Sequence, residues 1–108
     1  IVDCANVEQA MALVRGCAQP PLAWVFADRE QHIGKQLSGR FPERPPHASG
    51  LTILPAWEER NHWRGFVSGD DLPGEYDPAI GFIVSANEAL FRRSGPTLTT
   101  LPDRPYRR

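Results

Sequence analysis

The sequence predicts an α+β domain, one helix followed by antiparallel strands. Three observations carry that expectation. Apolar residues recur at helical spacing over residues 6–15. Two apolar runs, 22–27 and 32–38, are separated by a polar break. A third run rich in strand-forming residues, Gly81 to Ala86, follows a series of turn signals.

The helix comes first. Val7, Met11 and Val14 recur at three- and four-residue intervals, and Ala10 falls on the same face. Asn6 is suited to cap the helix, and Gln9 stands three residues later, where a capping box places its second partner. Gly16 is placed to end it, and Pro20-Pro21 forbid continuation. With a helix between them, Cys4 and Cys17 are held too far apart for a disulfide, so both are expected as free thiols.

Residues 22–27, Leu-Ala-Trp-Val-Phe-Ala, are aromatic and β-branched enough for a buried strand. Asp28 to Gln31 is polar. Residues 32–38 then alternate around Ile33, Lys35 and Leu37, which predicts a return strand and hence a β-hairpin. The proline-rich stretch from Gly39 to Gly50 is expected to be irregular. Trp57, Trp63 and Phe66 are large apolar groups in a turn-rich setting and are expected to pin loops onto the core. Asp70-Asp71-Leu72-Pro73 and Asp77-Pro78 are turn signals. Gly81 to Ala86 is expected as a strand ending at Asn87, and residues 93–108 as an irregular tail. The whole chain, 1–108, is of a size for one small domain.

Composition excludes several classes of function. The apolar fraction of 41% and charged fraction of 23% are those of an ordinary globular chain. A net charge of −1 with mixed signs favours neither nucleic acid nor a membrane surface. Arg92, Arg93, Arg104, Arg107 and Arg108 read as a solvated basic tail. No apolar stretch approaches the ~20 residues that span a bilayer, and no signal-peptide pattern opens the chain, so its compartment is left open. His32, His47 and His62 are scattered without ligand spacing, so neither a metal nor another cofactor is expected.

From the residues alone, little catalysis is visible. There is no Gly-x-Ser-x-Gly and no phosphate-binding loop. Asn87, at the expected strand end, reads first as a turn residue. Its carboxamide is also a good oxyanion donor, because it offers two N–H groups and carries no charge of its own.

Four phrases in order shift that balance: Trp24-Val-Phe-Ala-Asp28 with Ile33-Gly34; Gly39-Arg-Phe-Pro-Glu-Arg44; Trp63-Arg-Gly-Phe66 with Leu72-Pro73; and Asp77-Pro78 with Gly81-Phe-Ile-Val84 and Asn87. In this order and at these gaps they resemble the middle of the β chain of the penicillin acylase (penicillin amidase) family. The resemblance covers roughly residues 3–92. It implies a piece of the four-layer αββα sandwich of the N-terminal-nucleophile hydrolases. In that family a Ser at the β-chain terminus attacks an amide carbonyl, with its own α-amine as base. The resemblance places the oxyanion-holding Asn on Asn87, an acyl-pocket residue on Leu22, and a supporting Arg near Arg107. The family is often periplasmic or secreted in bacteria.

The chain departs from the family pattern at three places. The region that carries the nucleophilic Ser lies upstream of the resemblance, and Ile1 has no nucleophilic side chain. Glu88 follows Asn87 where relatives usually carry a second Asn, which puts a carboxylate beside a site of developing negative charge. Gln31 and His32 occupy a turn that usually contains Gly. The expectation is therefore a fragment of an amide hydrolase, inert alone, that meets a small acyl-amide substrate only when completed by missing segments. The alternative is a stand-alone binding module that reuses the fold. Strand edges left without neighbours then predict a homodimer or higher oligomer, provided the piece folds.

Overall fold

The computed structural model describes residues 3–48 and 52–86. In chain order its elements are α1 (Val7–Arg15), β1 (Ala23–Ala27), β2 (Ile33–Leu37), β3 (Pro42–Glu43), β4 (Gly65–Phe66) and β5 (Gly74–Tyr76), with 3₁₀ turns at Glu59–Asn61 and Gly69–Asp71. They fall into two compact units, Ile1–Arg40 with Ser68–Ser85, and Phe41–Val67 with Ala86–Arg108. One helix with antiparallel sheets makes this the expected α+β class.

In the first unit α1 starts where its cap lies. Asn6 has extended backbone, and its side chain accepts a hydrogen bond from Gln9 N at 2.9 Å. The Gln9 side chain reaches back to Ala5 N at 3.0 Å, one residue before the place a capping box serves. Gly16 closes the helix in right-handed conformation, its N–H turned back to Leu13 and Val14. It therefore needs none of the left-handed freedom that makes glycine common there. Val7, Ala10, Met11 and Val14 form the buried face. Each large member contributes about 1.5–3 kcal/mol by leaving water. They sit on β2 at Gly34, where a Cβ would come within 2.5 Å of Met11 Sδ and Val7 Cγ1. A side chain at residue 34 would push the helix off the sheet.

The sheet has the order β1-β2-β5, antiparallel throughout. Ala23 pairs with Leu37 and Ala27 with Ile33, as a hairpin between the two apolar runs requires. Its turn is organised by Asp28. The Asp28 carboxylate accepts from Glu30 N at 2.9 Å and His32 N at 3.0 Å, and Asp28 N donates to His32 O. Gln31 takes φ +68°, the left-handed place that a glycine fills without strain. Gln31→Gly is therefore expected to stabilise the chain by up to ~1 kcal/mol, the left-handed strain relieved less the entropy glycine adds to the unfolded state. A denaturant midpoint that fails to rise would contradict this.

The strand pattern differs from expectation in three ways. β1 is not a buried strand: Val25 is 53% exposed, because β1 is an edge with a neighbour on one side only. β2 is the buried one, since it lies between β1 and β5; Gly34, Lys35, Gln36 and Leu37 are all buried. The expected strand Gly81–Ala86 does not form. Gly81 turns at φ +81° with its N–H on Pro78 O, and residues 82–85 run on without ladder bonds. Both edges of β2 are taken by β1 and β5, and the segment adds to neither outer edge of the sheet. Its strand-forming composition alone does not make it a strand.

In the second unit the stretch expected to be irregular contains β3, which pairs with β4: Pro42 with Phe66 and Glu43 with Gly65. Trp57, Trp63 and Phe66 do not pin loops onto a core. They are 86%, 59% and 50% exposed, and the edge-to-face pair of Trp63 with Phe66 lies at the surface. The interior position here goes to small and rigid residues, Pro45 and Ala48. Both cysteines are free, as the helix between them requires. No helix among the described residues is long and apolar enough to cross a membrane.

Candidate functional site

Of the three residues that sequence reasoning singled out, the structure describes Leu22. Asn87 and Arg107 lie outside the described residues, so nothing described brings the three together. Leu22 immediately precedes β1 and is 48% exposed. Its placement rests on Ser38, which is fully buried. Ser38 N donates to Leu22 O at 2.9 Å. Ser38 Oγ accepts from Trp24 Nε1 at 2.8 Å and donates to Pro20 O at 2.7 Å. Gly39 N adds a bond to Cys17 O at 2.9 Å. The Pro20–Leu22 approach to the hairpin is thus tied to the end of β2 by bonds on both sides of one serine.

The segment that leads to Asn87 begins at Asp77 and is tied to the same strand. Asp77 takes φ +41°, its N–H donates to Ile33 O at 2.9 Å, and its carboxylate accepts from Ile33 N at 2.8 Å. The other carboxylate oxygen meets His32 Nδ1 at 2.5 Å, and Tyr76 stacks on the imidazole with ring centres 5.7 Å apart. Further on, Lys35 Nζ donates to Val84 O at 2.7 Å. β2 therefore holds residues 77–84 at two points, one beside each end.

The charges around His32 are mutually consistent. The hydrogen bond to Asp77 raises the His32 pKa above its ordinary 6.5; partial burial opposes this, and the carboxylates of Asp77, Asp28 and Glu30 reinforce it. The Ile33 N–H and then His32 hold Asp77 below 3.8. For Asp28, burial pushes upward, but the N–H groups of His32, Val7 and Glu30 together prevail and lower it. Burial, then the Asp77 charge, raises Tyr76. The linkage signs follow. His32 contributes stability that is full below about 6.5 and is lost as pH rises through its raised value. Asp77 contributes stability present above about 3.8 and lost as pH falls through its depressed value. The clasp is thus complete between about pH 4 and 6.5. The expected result is a His32 imidazole that titrates above 6.5 by NMR in the native chain and returns toward 6.5 in Asp77→Asn. A native titration at or below 6.5 would contradict the pairing.

Sequence reasoning missed Ser38, Lys35 and the His32–Asp77 pair. The pair is 45 residues apart in sequence, so no local spacing could have shown it. No group of three or more His, Cys, Asp or Glu side chains among the described residues is arranged to hold a metal ion. A surface cleft of about 470 Å³ in the second unit is lined by His47, Glu59, Arg60, His62, Trp63 and Arg64, and contains none of the singled-out residues.

The sequence profile of the penicillin amidase family matches residues 2–108. Among characterised proteins, acyl-homoserine lactone acylase QuiP of Pseudomonas aeruginosa is 40% identical over 82 residues, 76% of this chain and 9% of that enzyme. QuiP of Pseudomonas putida is 39% identical over 88 residues, 82% of this chain and 11% of that one. Penicillin acylase 2 proenzyme of Pseudomonas sp. strain SE83 is 33% identical over 104 residues, 95% of this chain and 13% of that protein. The chain belongs to the penicillin amidase family. It spans about a tenth of the length of the curated relatives it matches.

Proposed function

We propose that this chain is one segment of an acyl-amide hydrolase, that it supplies the oxyanion donor Asn87, and that these 108 residues alone do not turn substrate over. The observation that carries the reading is the family match over nearly the whole chain, together with relatives that are all named as acylases. Amide hydrolysis passes through a tetrahedral intermediate whose oxygen becomes negative, and a neutral donor held in place stabilises that charge without reorganising. Leu22, half exposed before β1, offers apolar surface suited to an acyl chain. Arg107 supports the site by its charge. A QuiP-like acyl-homoserine lactone and a penicillin-like side-chain amide are the two substrate classes the relatives' names suggest.

The test is to offer the purified chain a chromogenic phenylacetyl or aliphatic acyl amide. The expected result is no turnover above background. Turnover that Asn87→Ala abolishes would show the segment to be active by itself and overturn the claim of inertness.

A self-associating form of the chain is favoured by one observation. Among the described residues no strand pairs with the outer edge of β1, and Leu22 and Val25 are exposed beside it. Sedimentation is expected to show a dimer or larger species, and a stable monomer would exclude it.

A further inference from the structure

We infer that two copies of this chain join edge to edge through β1, antiparallel, with Val25 of one copy opposite Val25 of the other. The inference rests on the reading of the chain as self-associating, and it names the edge, the register and the contacts.

The hydrogen bonds of the hairpin decide which backbone groups of β1 are turned outward. Ser38 N donates to Leu22 O, and Asp28 N donates to His32 O. Between those two bonds Trp24 lies on Gln36 and Phe26 on Gly34. Antiparallel alternation therefore turns the N–H and C=O groups of Leu22, Trp24, Phe26 and Asp28 toward β2. Those of Ala23, Val25 and Ala27 point away from it. Leu37 N agrees with this alternation: Leu37 lies opposite Ala23, yet its N–H donates to Pro73 O on the other side of β2. Among the described residues no strand pairs with the outer edge of β1.

Exposed edges are commonly blocked by a charge, a proline or a bulge. The strand Ala-Trp-Val-Phe-Ala has no charge and no proline, and its register on β2 runs without a bulge. Its residues also read alike in both directions: small, aromatic, Val, aromatic, small. Turned about Val25, the strand meets a second copy of itself with Ala23 opposite Ala27, Trp24 opposite Phe26 and Val25 opposite Val25. The outward groups of Ala23, Val25 and Ala27 then fall in the hydrogen-bonded pairs, each exchanging two backbone bonds. Trp24 and Phe26 fall in the non-hydrogen-bonded pairs, where side chains stand closest. Their rings, already stacked within one chain at 6.3 Å, extend onto those of the second copy. Val25, half exposed, leaves water on the other face.

The opposite edge of the sheet offers no such match. Pro73 O and Asp77 N both bond to β2, so on β5 it is Gly74 and Tyr76 that point outward. Turned on itself, β5 sets Glu75 against Glu75 in a close pair, and like charges directly opposite destabilise. Copies therefore join at β1 and stop at a closed, two-fold pair.

The experiment reads amide hydrogen exchange of the 108-residue chain by NMR, in dilute and in concentrated solution. The expected result is that the amides of Ala23, Val25 and Ala27 exchange about tenfold or more slowly in the concentrated sample. Those of Trp24 and Phe26, already bonded to β2, do not change. In a mixture of labelled and unlabelled chains, a contact between the α-protons of Trp24 and Phe26 of different copies fixes the register. Val25→Glu, which sets two carboxylates opposite each other, returns the chain to a monomer by sedimentation. A chain that is monomeric at every concentration overturns both this pairing and the self-associating reading. A dimer whose Ala23, Val25 and Ala27 amides stay unprotected, or that Val25→Glu leaves intact, overturns the β1 pairing alone. So does protection of these amides in a monomer, since the edge is then covered from within the chain. Should Val25→Glu fail to fold, exchange and the α-proton contact in the native chain still decide.

Discussion

Gly39→Ala is expected to lower the stability of the chain by about 3 kcal/mol or more, enough to remove much of the margin of a small domain. Two independent effects meet at this residue. Its backbone lies at φ +110°, outside the regions an L-side chain adopts readily. A Cβ there would also come within 2.7 Å of Pro21 Cα and 2.8 Å of Pro21 Cβ. Pro21 cannot yield by rotating a side chain, because the contact includes its backbone and its ring fixes φ. Relief would have to come from the Pro20–Leu22 approach, which Ser38 and the Gly39–Cys17 bond hold in place. Urea unfolding measures this directly. A midpoint that falls by no more than an ordinary surface substitution would contradict the account of how Leu22 is held.

Gln36→Leu is expected to cost about 2–4 kcal/mol although it replaces a polar group by an apolar one of similar size. Gln36 is fully buried. Its Oε1 accepts from the Arg15 guanidinium at 3.2 Å, and its Nε2 stands 3.1 Å from Leu37 O and Pro73 O and 3.4 Å from Leu72 O. Leucine would leave an arginine at the end of α1 and the carbonyls of the turn before β5 without that partner. Each unsatisfied buried group costs about 1–3 kcal/mol, partly offset by the apolar burial gained. Thermal unfolding of Gln36→Leu beside Gln36→Glu separates the two contributions. A leucine variant as stable as the native chain would show that the network does not carry the link between helix and sheet.

The elements legible in the sequence are those whose signal is local. The helix follows from the spacing of Val7, Met11 and Val14 and from Asn6, and it forms over Val7–Arg15 with that cap. The hairpin follows from two apolar runs around a polar break, and the two runs do pair, antiparallel, as β1 and β2. What could not be read depends on distant partners. Gly74–Tyr76 is too short to show a period, and it is a strand only because β2 has an edge to offer. Gly81–Ala86 has the composition of a strand, yet it joins neither outer edge of the sheet, so composition alone misplaced it. Trp57 and Trp63 have the size and hydrophobicity of core residues, yet proline and alanine fill the interior of their unit. For the same reason His32 looked like an isolated surface histidine until the fold brought Asp77 to its ring.

The candidate site was legible only as a pattern of phrases, and the family match over residues 2–108 supports that pattern. The supports beneath it were not legible. Lys35 lies on β2 and Ser38 directly follows it, and the neighbours of that strand had to be known before either polar group could be recognised as a tether. A buried lysine on a strand and a buried serine just past its end look, in sequence, like ordinary solvent-facing polar positions.

The central claim is that Asn87 receives the oxyanion of an acyl-amide hydrolysis. Its most direct test is the kinetics of the native enzyme recovered through a tag on this chain, with and without Asn87→Ala. The account predicts hydrolysis of an acyl amide by the native assembly, with kcat reduced about 10²–10³-fold by the substitution and KM little changed. An assembly whose kcat is unaffected by Asn87→Ala would contradict it.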